Sequence, residues 1–354
     1  MIPAFLYKYI YFLIVSVMTV TIVRNRKDLE EKENATGCWL LCIFLILFIG
    51  TRPVSGRYFV DMTNYANWWG LHKWHGFNWN AENLLFDNLY GYMGNIFPDA
   101  TYFFVLIAVI YFVCMLIVCR KLFPSNTLIV YLVCLAAFST FSYGTNGIKA
   151  GAAASLFLVA LAYRDKMLIS ILFLLLSWGF HHSMQLPVAA YLLTLFFKKK
   201  EWYFYGWLFC LLMAILHVTF FQNLFAGMSD ESGAGYLSTN GDWGGKSGFR
   251  IDFVIYSAMP VLMGYYMKYK YLLEDKLYDI MLHMYLVCNG IWMLCMYAQF
   301  TNRIAYLSWF MYPILLIYPC YSIDDENHPL VLIRKKIVLY HLFFTLFMEI
   351  VYYA

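Results

Sequence analysis

What most constrains this chain is the recurrence of apolar runs close to the length of a membrane-spanning helix. They fall near 4–23, 38–51, 101–119, 127–144, 148–163, 167–180, 184–197, 202–220, 252–269, 277–299, 303–320 and 337–353. A spanning helix needs about 20 mostly apolar residues. Composition agrees: 62% of the 354 residues are hydrophobic and 13% are charged, against about 25% charged in soluble domains. The sequence therefore predicts an all-α polytopic membrane protein with about twelve transmembrane helices, forming a single transmembrane domain over 1–354. The first run ends in RNRKDLEEKEN with no small-residue cleavage site, which reads as a retained helix. Two polar stretches interrupt the runs. Residues 52–100 carry a short extra helix expected at 83–97, and residues 221–251 form a Gly-rich loop.

Lysine and arginine orient the runs. Short turns such as KKK at 198–200 and RKK at 334–336 are basic, so the positive-inside rule places them in the cytoplasm. Residues 52–100 and 221–251 then both lie outside. The net charge of +4 is no nucleic-acid signature, because the basic residues are scattered between apolar segments. The nine cysteines lie in or at the ends of apolar runs and include no C-x-x-C pair. Neither a disulfide framework nor a metal site is expected.

Several outer-side cations oppose this orientation and sit at the ends of runs. Arg52 closes the second run, Lys149 opens the fifth, Arg250 precedes the ninth and Arg303 opens the eleventh. Ionisable groups beside hydrocarbon are costly and mark functional candidates. Cations gathered at one depth suit a phosphate or pyrophosphate, which an Arg fork binds bidentately; each alone is also compatible with a helix-end side chain reaching lipid phosphates. A helix over 57–68 would set Arg57, Asp61, Tyr65 and Trp68 on one face. The stretch SWGFHHSMQLP places His181 and His182 at an outer helix end, where a histidine can act as a base near neutral pH. YGTNGIKAGAAAS joins Asn146 and Lys149 to a Gly/Ala-rich helix start suited to close packing. In TNRIAYLSWF, Arg303 and Tyr306 lie one turn apart.

Taken together, these stretches resemble the EpsG family of polysaccharide polymerases, the Wzy-like proteins of bacterial exopolysaccharide, capsule and O-antigen assembly. The resemblance covers roughly 40–320. It rests on Arg52, Gly56, Asp61 and Tyr65; on Asn146 to Lys149 followed by Phe180, His181 and Ser183; and on Arg303 with Tyr306. The chain departs from the family pattern at Lys149, where Arg is usual, and at Val60, where Gly is usual.

The resemblance implies a fold similar to the C-type glycosyltransferase superfamily and a glycosyltransferase activity without cofactor. Its substrates would be oligosaccharide repeats on undecaprenyl pyrophosphate, joined at the outer face of the bacterial inner membrane. Implied partners are membrane lipid and a flippase and chain-length regulator of the same pathway. On this reading Arg57, Lys149, Arg250 and Arg303 meet pyrophosphate, with Arg52, Tyr65, Asn146, His182 and Tyr306 around the substrate. Either His181 or Asp61 serves the acceptor hydroxyl. An O-antigen ligase-like transfer and a lipid-linked oligosaccharide flippase are the alternatives. An acyltransferase fits less well, since its acyl-CoA is cytoplasmic and the histidines are placed outside.

Overall fold

The computed structural model describes residues 2–25, 35–71, 74–226, 248–298, 300–323, 325 and 327–353. Most of the Gly-rich loop expected at 221–251 lies outside the described residues. Among the described residues the structure is helical, without strands. It divides into two compact units, Met1–His181 with Cys320–Ala354, and His182–Pro319.

The first unit holds α1 (Leu6–Arg24), α2 (Ala35–Gly50), α3 (Asp61–Asn67), α4 (Leu84–Ile96), α5 (Thr101–Leu122), α6 (Thr127–Leu135), α7 (Phe138–Thr145), α8 (Ile148–Ala162) and α9 (Met167–Phe180). The second begins with a 3₁₀ turn at His182–Met184. It continues through α10 (Gln185–Phe196), α11 (Lys200–Ile215), α12 (Phe220–Ala226), α13 (Ile251–Tyr265), α14 (Lys276–Leu294) and α15 (Thr301–Trp309). Helix α16 (Tyr312–Tyr321) crosses the boundary, and α17 (Pro329–Leu346) returns to the first unit. π-Helical turns extend α13 over Tyr266–Lys270 and α17 over Phe347–Tyr352.

Each expected run coincides with helix, and the short helix expected at 83–97 is α4. Among the described residues four stretches are long and apolar enough to cross a membrane: α1, α5, α14, and α15 with α16 taken together. Helices α6 and α7 make a fifth if the bent pair is one span. The chain is thus a multi-pass membrane protein. Helices α2, α8 and α9 are apolar but shorter. The run expected as one helix at 127–144 instead bends by 73°. Ala137 is extended there, and the Thr140 hydroxyl donates to the Cys134 carbonyl at 2.6 Å. A hydroxyl close to a helix end satisfies a carbonyl that the interrupted ladder leaves open.

In the first unit α8 packs between α5 and α9. It is buried on all sides, and its first half is built of small residues, Gly151, Ala152, Ala153, Ala154 and Ser155. Such residues let helix backbones approach closely. Gly151 shows how closely, since a Cβ there would stand 2.7 Å from the Tyr143 carbonyl oxygen. An ion pair at 2.8 Å, Lys8 to Glu349, ties α1 to the last π-helical turn.

The second unit is organised around α14, which packs on α10, α11, α13 and α15. Its fully buried Asn289 accepts from Trp207 Nε1 at 2.9 Å and donates to the hydroxyls of Ser257 and Ser308 at 3.0 and 3.1 Å. Trp309 Nε1 also donates to Ser257 Oγ at 2.8 Å. This polar knot fixes the rotation of α11, α13 and α15 about α14, because each buried group would be costly to leave unpaired.

Candidate functional site

In the first unit, the stretches singled out from sequence meet at one set of helix ends. Arg52 follows the last turn of α2 and is 3% exposed. Its Nη1 donates to the Ile49 carbonyl at 2.6 Å and its Nη2 to the Thr145 carbonyl at 2.5 Å. The guanidinium lies over the rings of Phe59 and Phe104, 5.3 and 5.4 Å from their centroids. A cation on two helix C-termini satisfies open carbonyls and complements both dipoles. The structure thus gives Arg52 the work of joining α2 to α7.

Asn146, the residue that follows α7, accepts through its Oδ1 from the Asp61 backbone N–H at 2.9 Å. One amide therefore docks the start of α3 onto the junction of α7 and α8. Helix α3 begins only at Asp61, after Val60 leaves helical backbone geometry. The face expected to carry Arg57 with Asp61 and Tyr65 thus loses its first member. Arg57 lies in the turn before the helix, exposed, with its guanidinium 5.5 Å from the Tyr58 ring centroid. Tyr65 is half-buried, packed on the rings of Phe86 and Tyr90. Its carbonyl accepts from the Tyr90 hydroxyl at 2.6 Å.

Lys149 stands half-buried in the first turn of α8. One turn further in, the Ala153 carbonyl accepts from Ser177 Oγ at 2.7 Å, near the end of α9. His181 follows that end, half-buried, with its backbone N–H donating to the Ser177 carbonyl at 3.1 Å. Helix α4 packs on the same end. Leu85 lies where a Cβ on Gly179 would fall, and Phe86 meets Phe180.

Asp87, on α4, is a residue the sequence reading passed over. Its Oδ2 accepts from the Asn83 N–H at 2.9 Å. Burial lifts its carboxyl above the usual range; the Asn83 bond and the nearby Lys149 charge pull the other way. A single Asp in a polar stretch reads as solvated surface. The available signal was its place between Phe86 and Tyr90 on a helix that the sequence did predict.

The chain between Trp74 and Asn78 is clamped onto α4 by two amides. Asn95 accepts from the Trp74 N–H at 3.2 Å and donates to the Trp74 carbonyl at 2.9 Å. Asn88 does the same for Asn78, at 2.7 and 2.9 Å. Phe77 and Trp79 are held outward, and Trp79 is 77% exposed.

The second unit carries His182, Arg250, Arg303 and Tyr306. His182 opens the 3₁₀ turn and is half-buried. Arg250 caps the start of α13, 7% exposed, and its fork lies on Asp252 at 3.0 and 2.7 Å. Its guanidinium carbon is 3.5 Å from the Phe253 ring centroid. A fork engaged by a carboxylate is an anchored group, so the structure places Arg250 in an internal ion pair. The Arg250 backbone N–H points to Met296 Sδ at 3.2 Å, which sets it beside the end of α14.

Helix α15 starts from the same end. Phe300 takes a left-handed conformation with φ of 49°, unusual for a bulky residue. Thr301 holds the turn: its Oγ1 accepts from Trp292 Nε1 at 3.0 Å and donates to the Cys295 carbonyl at 3.2 Å. Arg303 projects from the first turn, exposed, 5.2 Å from the Phe300 ring centroid. Tyr306 is half-buried against Trp309. Among the described residues no group of three or more His, Cys, Asp or Glu could hold a metal ion.

Chemically, the first unit carries one cation, two carboxylates and a histidine, Lys149, Asp61, Asp87 and His181, on adjoining helix ends. The second offers an exposed guanidinium on a rigid turn. No curated protein and no solved structure matches the chain. The family model named EpsG family matches residues 36–354. Nearly the whole described helical chain falls within that match, so the protein belongs to the EpsG family, a membership that points to a polysaccharide-polymerase type of function.

Proposed function

We propose that the protein is a polymerase that joins oligosaccharide repeats carried on undecaprenyl pyrophosphate, acting at the outer face of the bacterial inner membrane. In this reading α2, α8, α9, α10, α11, α13 and α17 join the five apolar spans to make about twelve crossings, and the basic turns face the cytoplasm. One observation carries it beyond family membership. The Asp61 N–H bonded to Asn146 brings the two most informative motifs onto one set of helix ends.

The reaction needs an acceptor hydroxyl oxygen to bond the anomeric carbon of the donor sugar. The bond from that carbon to the pyrophosphate oxygen breaks, and the hydroxyl proton goes to a base. His181 or Asp61 takes that proton. Each unit supplies cations suited to pyrophosphate as charge develops, Lys149 with Arg57 in the first and Arg303 in the second. Arg52 and Arg250 hold helix ends in place through the bonds described above. Tyr65 in the first unit, and Tyr306 and His182 in the second, are the further residues assigned to substrate. The driving force lies in the pyrophosphate linkage, so no nucleotide takes part.

Arg303→Met tests this. In proteoliposomes given lipid-linked repeats, the wild type should make polymer. The variant should lose about 10²–10³-fold in rate, the usual cost of one preorganised charge-stabilising group, while keeping the wild-type melting temperature. Full-length polymer at wild-type rate would remove Arg303 from the mechanism. Transfer of single repeats to a different acceptor would favour the ligase-like reading, and movement of intact lipid-linked repeats across the bilayer the flippase.

A further inference from the structure

The chain from Trp74 to Asn80 is ordered by asparagines. Asn95 and Asn88 of α4 grip the backbone of Trp74 and Asn78, and the Asn78 Oδ1 in turn accepts from the Asn80 N–H at 3.0 Å. Trp79 is the residue enclosed by that last turn. Its ring meets Phe77 with centroids 4.6 Å apart and planes at 58°. Both rings are exposed, Phe77 by 41% and Trp79 by 77%. A large ring left in water gains little from folding, yet the backbone beneath this pair is held at every flank.

The surroundings say what suits the rings. From Trp74 to Ala100 the sequence holds Glu82, Asp87 and Asp99 and no Lys or Arg. Aromatics that anchor a protein in lipid keep company with cations that meet the phosphates. Carboxylates without a cation oppose an anionic bilayer surface. His75 and Asn80, exposed next to the rings in the chain, are neutral groups that donate and accept. An apolar ring face bordered by such groups matches a sugar, whose C–H face is apolar and whose hydroxyls stand at its edge. Asn88 and Asn95, seven residues apart, share one face of α4, while Phe86 looks the other way, to Phe180 at the end of α9. The clamped rings therefore stand across α4 from that end, a helix diameter or about 10 Å away.

We propose that Phe77 and Trp79 form a stacking platform for the glycan, holding a repeat by sugars remote from the reacting bond. The proposal rests on the polymerase reading for which glycan arrives, but the platform itself does not. Rings that touch no reacting atom bind ground state and transition state alike, and such binding appears in KM.

The clamps engage only the backbone of Trp74 and Asn78, so Phe77→Ala and Trp79→Ala should keep the wild-type melting temperature. With full-length protein in proteoliposomes and lipid-linked repeats, Trp79→Ala should raise KM about threefold to tenfold, the worth of one aromatic contact, with kcat unchanged. Trp79→Phe should recover most of this, and the double alanine variant should make shorter polymer. Unchanged KM in Trp79→Ala, or a fall in kcat alone, would overturn the platform.

A second readout needs no turnover. Full-length protein in nanodiscs is titrated with repeats released from the lipid by acid cleavage of the pyrophosphate linkage. Tryptophan fluorescence should respond in the wild type and much less in Trp79→Phe, since the difference reports Trp79 itself. Equal responses would overturn the platform. So would quenching of that Trp79 contribution by brominated lipid in glycan-free nanodiscs, which would assign the rings to the membrane. A wild type that makes no polymer yet shows the Trp79-dependent response would instead sink the polymerase reading and leave the platform standing.

Discussion

At the scale of the residue, Asn146 does more than its size suggests. Its side-chain oxygen is the acceptor for the Asp61 N–H, and through it α3 takes its place beside α8. Asn146→Ala removes a half-buried hydrogen bond and should cost about 0.5–1.5 kcal/mol in stability, read as a small fall in melting temperature. The effect on turnover should be larger, because a displacement of about 1 Å in a catalytic group can cost 10²-fold. A variant with normal polymer output would show that Asp61 does not depend on this anchor. The two buried arginines teach a complementary lesson. In sequence, Arg52, Arg250 and Arg303 are alike as cations at the ends of apolar runs. They part company only in three dimensions, where Arg52 finds two carbonyls, Arg250 finds Asp252, and Arg303 stays exposed. Nothing local distinguishes an arginine that caps helices from one that meets solvent, because the carbonyl from Thr145 comes from 93 positions away.

At the scale of the element, α8 is the piece most legible in the sequence and least tolerant of change. Its run of Gly and Ala announces close packing, and the structure places it between α5 and α9. Gly151→Ala would set a Cβ 2.7 Å from the Tyr143 carbonyl oxygen and 2.9 Å from its Cβ. Backbone cannot yield as a side-chain tip can, so the cost should be about 1–3 kcal/mol. It should also push α7 from α8 and so disturb Asn146. Wild-type melting temperature and wild-type activity in that variant would contradict this packing. The positions of the helices were readable because apolar runs are local. The bend between α6 and α7 was not, since VYLVCLAAFSTF is continuous in hydrophobicity and the break depends on Ala137 turning extended with Thr140 reaching back to Cys134. The late start of α3 was missed for a similar reason. Spacing alone suggests a helix from Arg57, whereas the backbone at Val60 interrupts it.

At the scale of the whole molecule, the orientation drawn from Lys and Arg makes a direct prediction. Asn80 and Lys199 are both exposed, and the reading puts them on opposite sides of the membrane. Asn80→Cys should react with a membrane-impermeant maleimide on intact cells, and Lys199→Cys only after permeabilisation. Eight of the nine native cysteines are buried and the ninth, Cys210, is half-buried, so background labelling should be low. The opposite pattern would turn the molecule over and move the proposed chemistry to the cytoplasm. One local device also bears on how chains of this kind diverge. Asn88 and Asn95 supply the flanks of a short peptide with the polar partners that a neighbouring strand would otherwise give. His75, Gly76 and Phe77 between those flanks contribute nothing to the clamps. Substitution at His75 or Phe77 therefore leaves the framework intact, whereas Gly76, with φ of 134°, does not yield; variety can accumulate over generations on either side of that glycine while the helices beneath it stay the same.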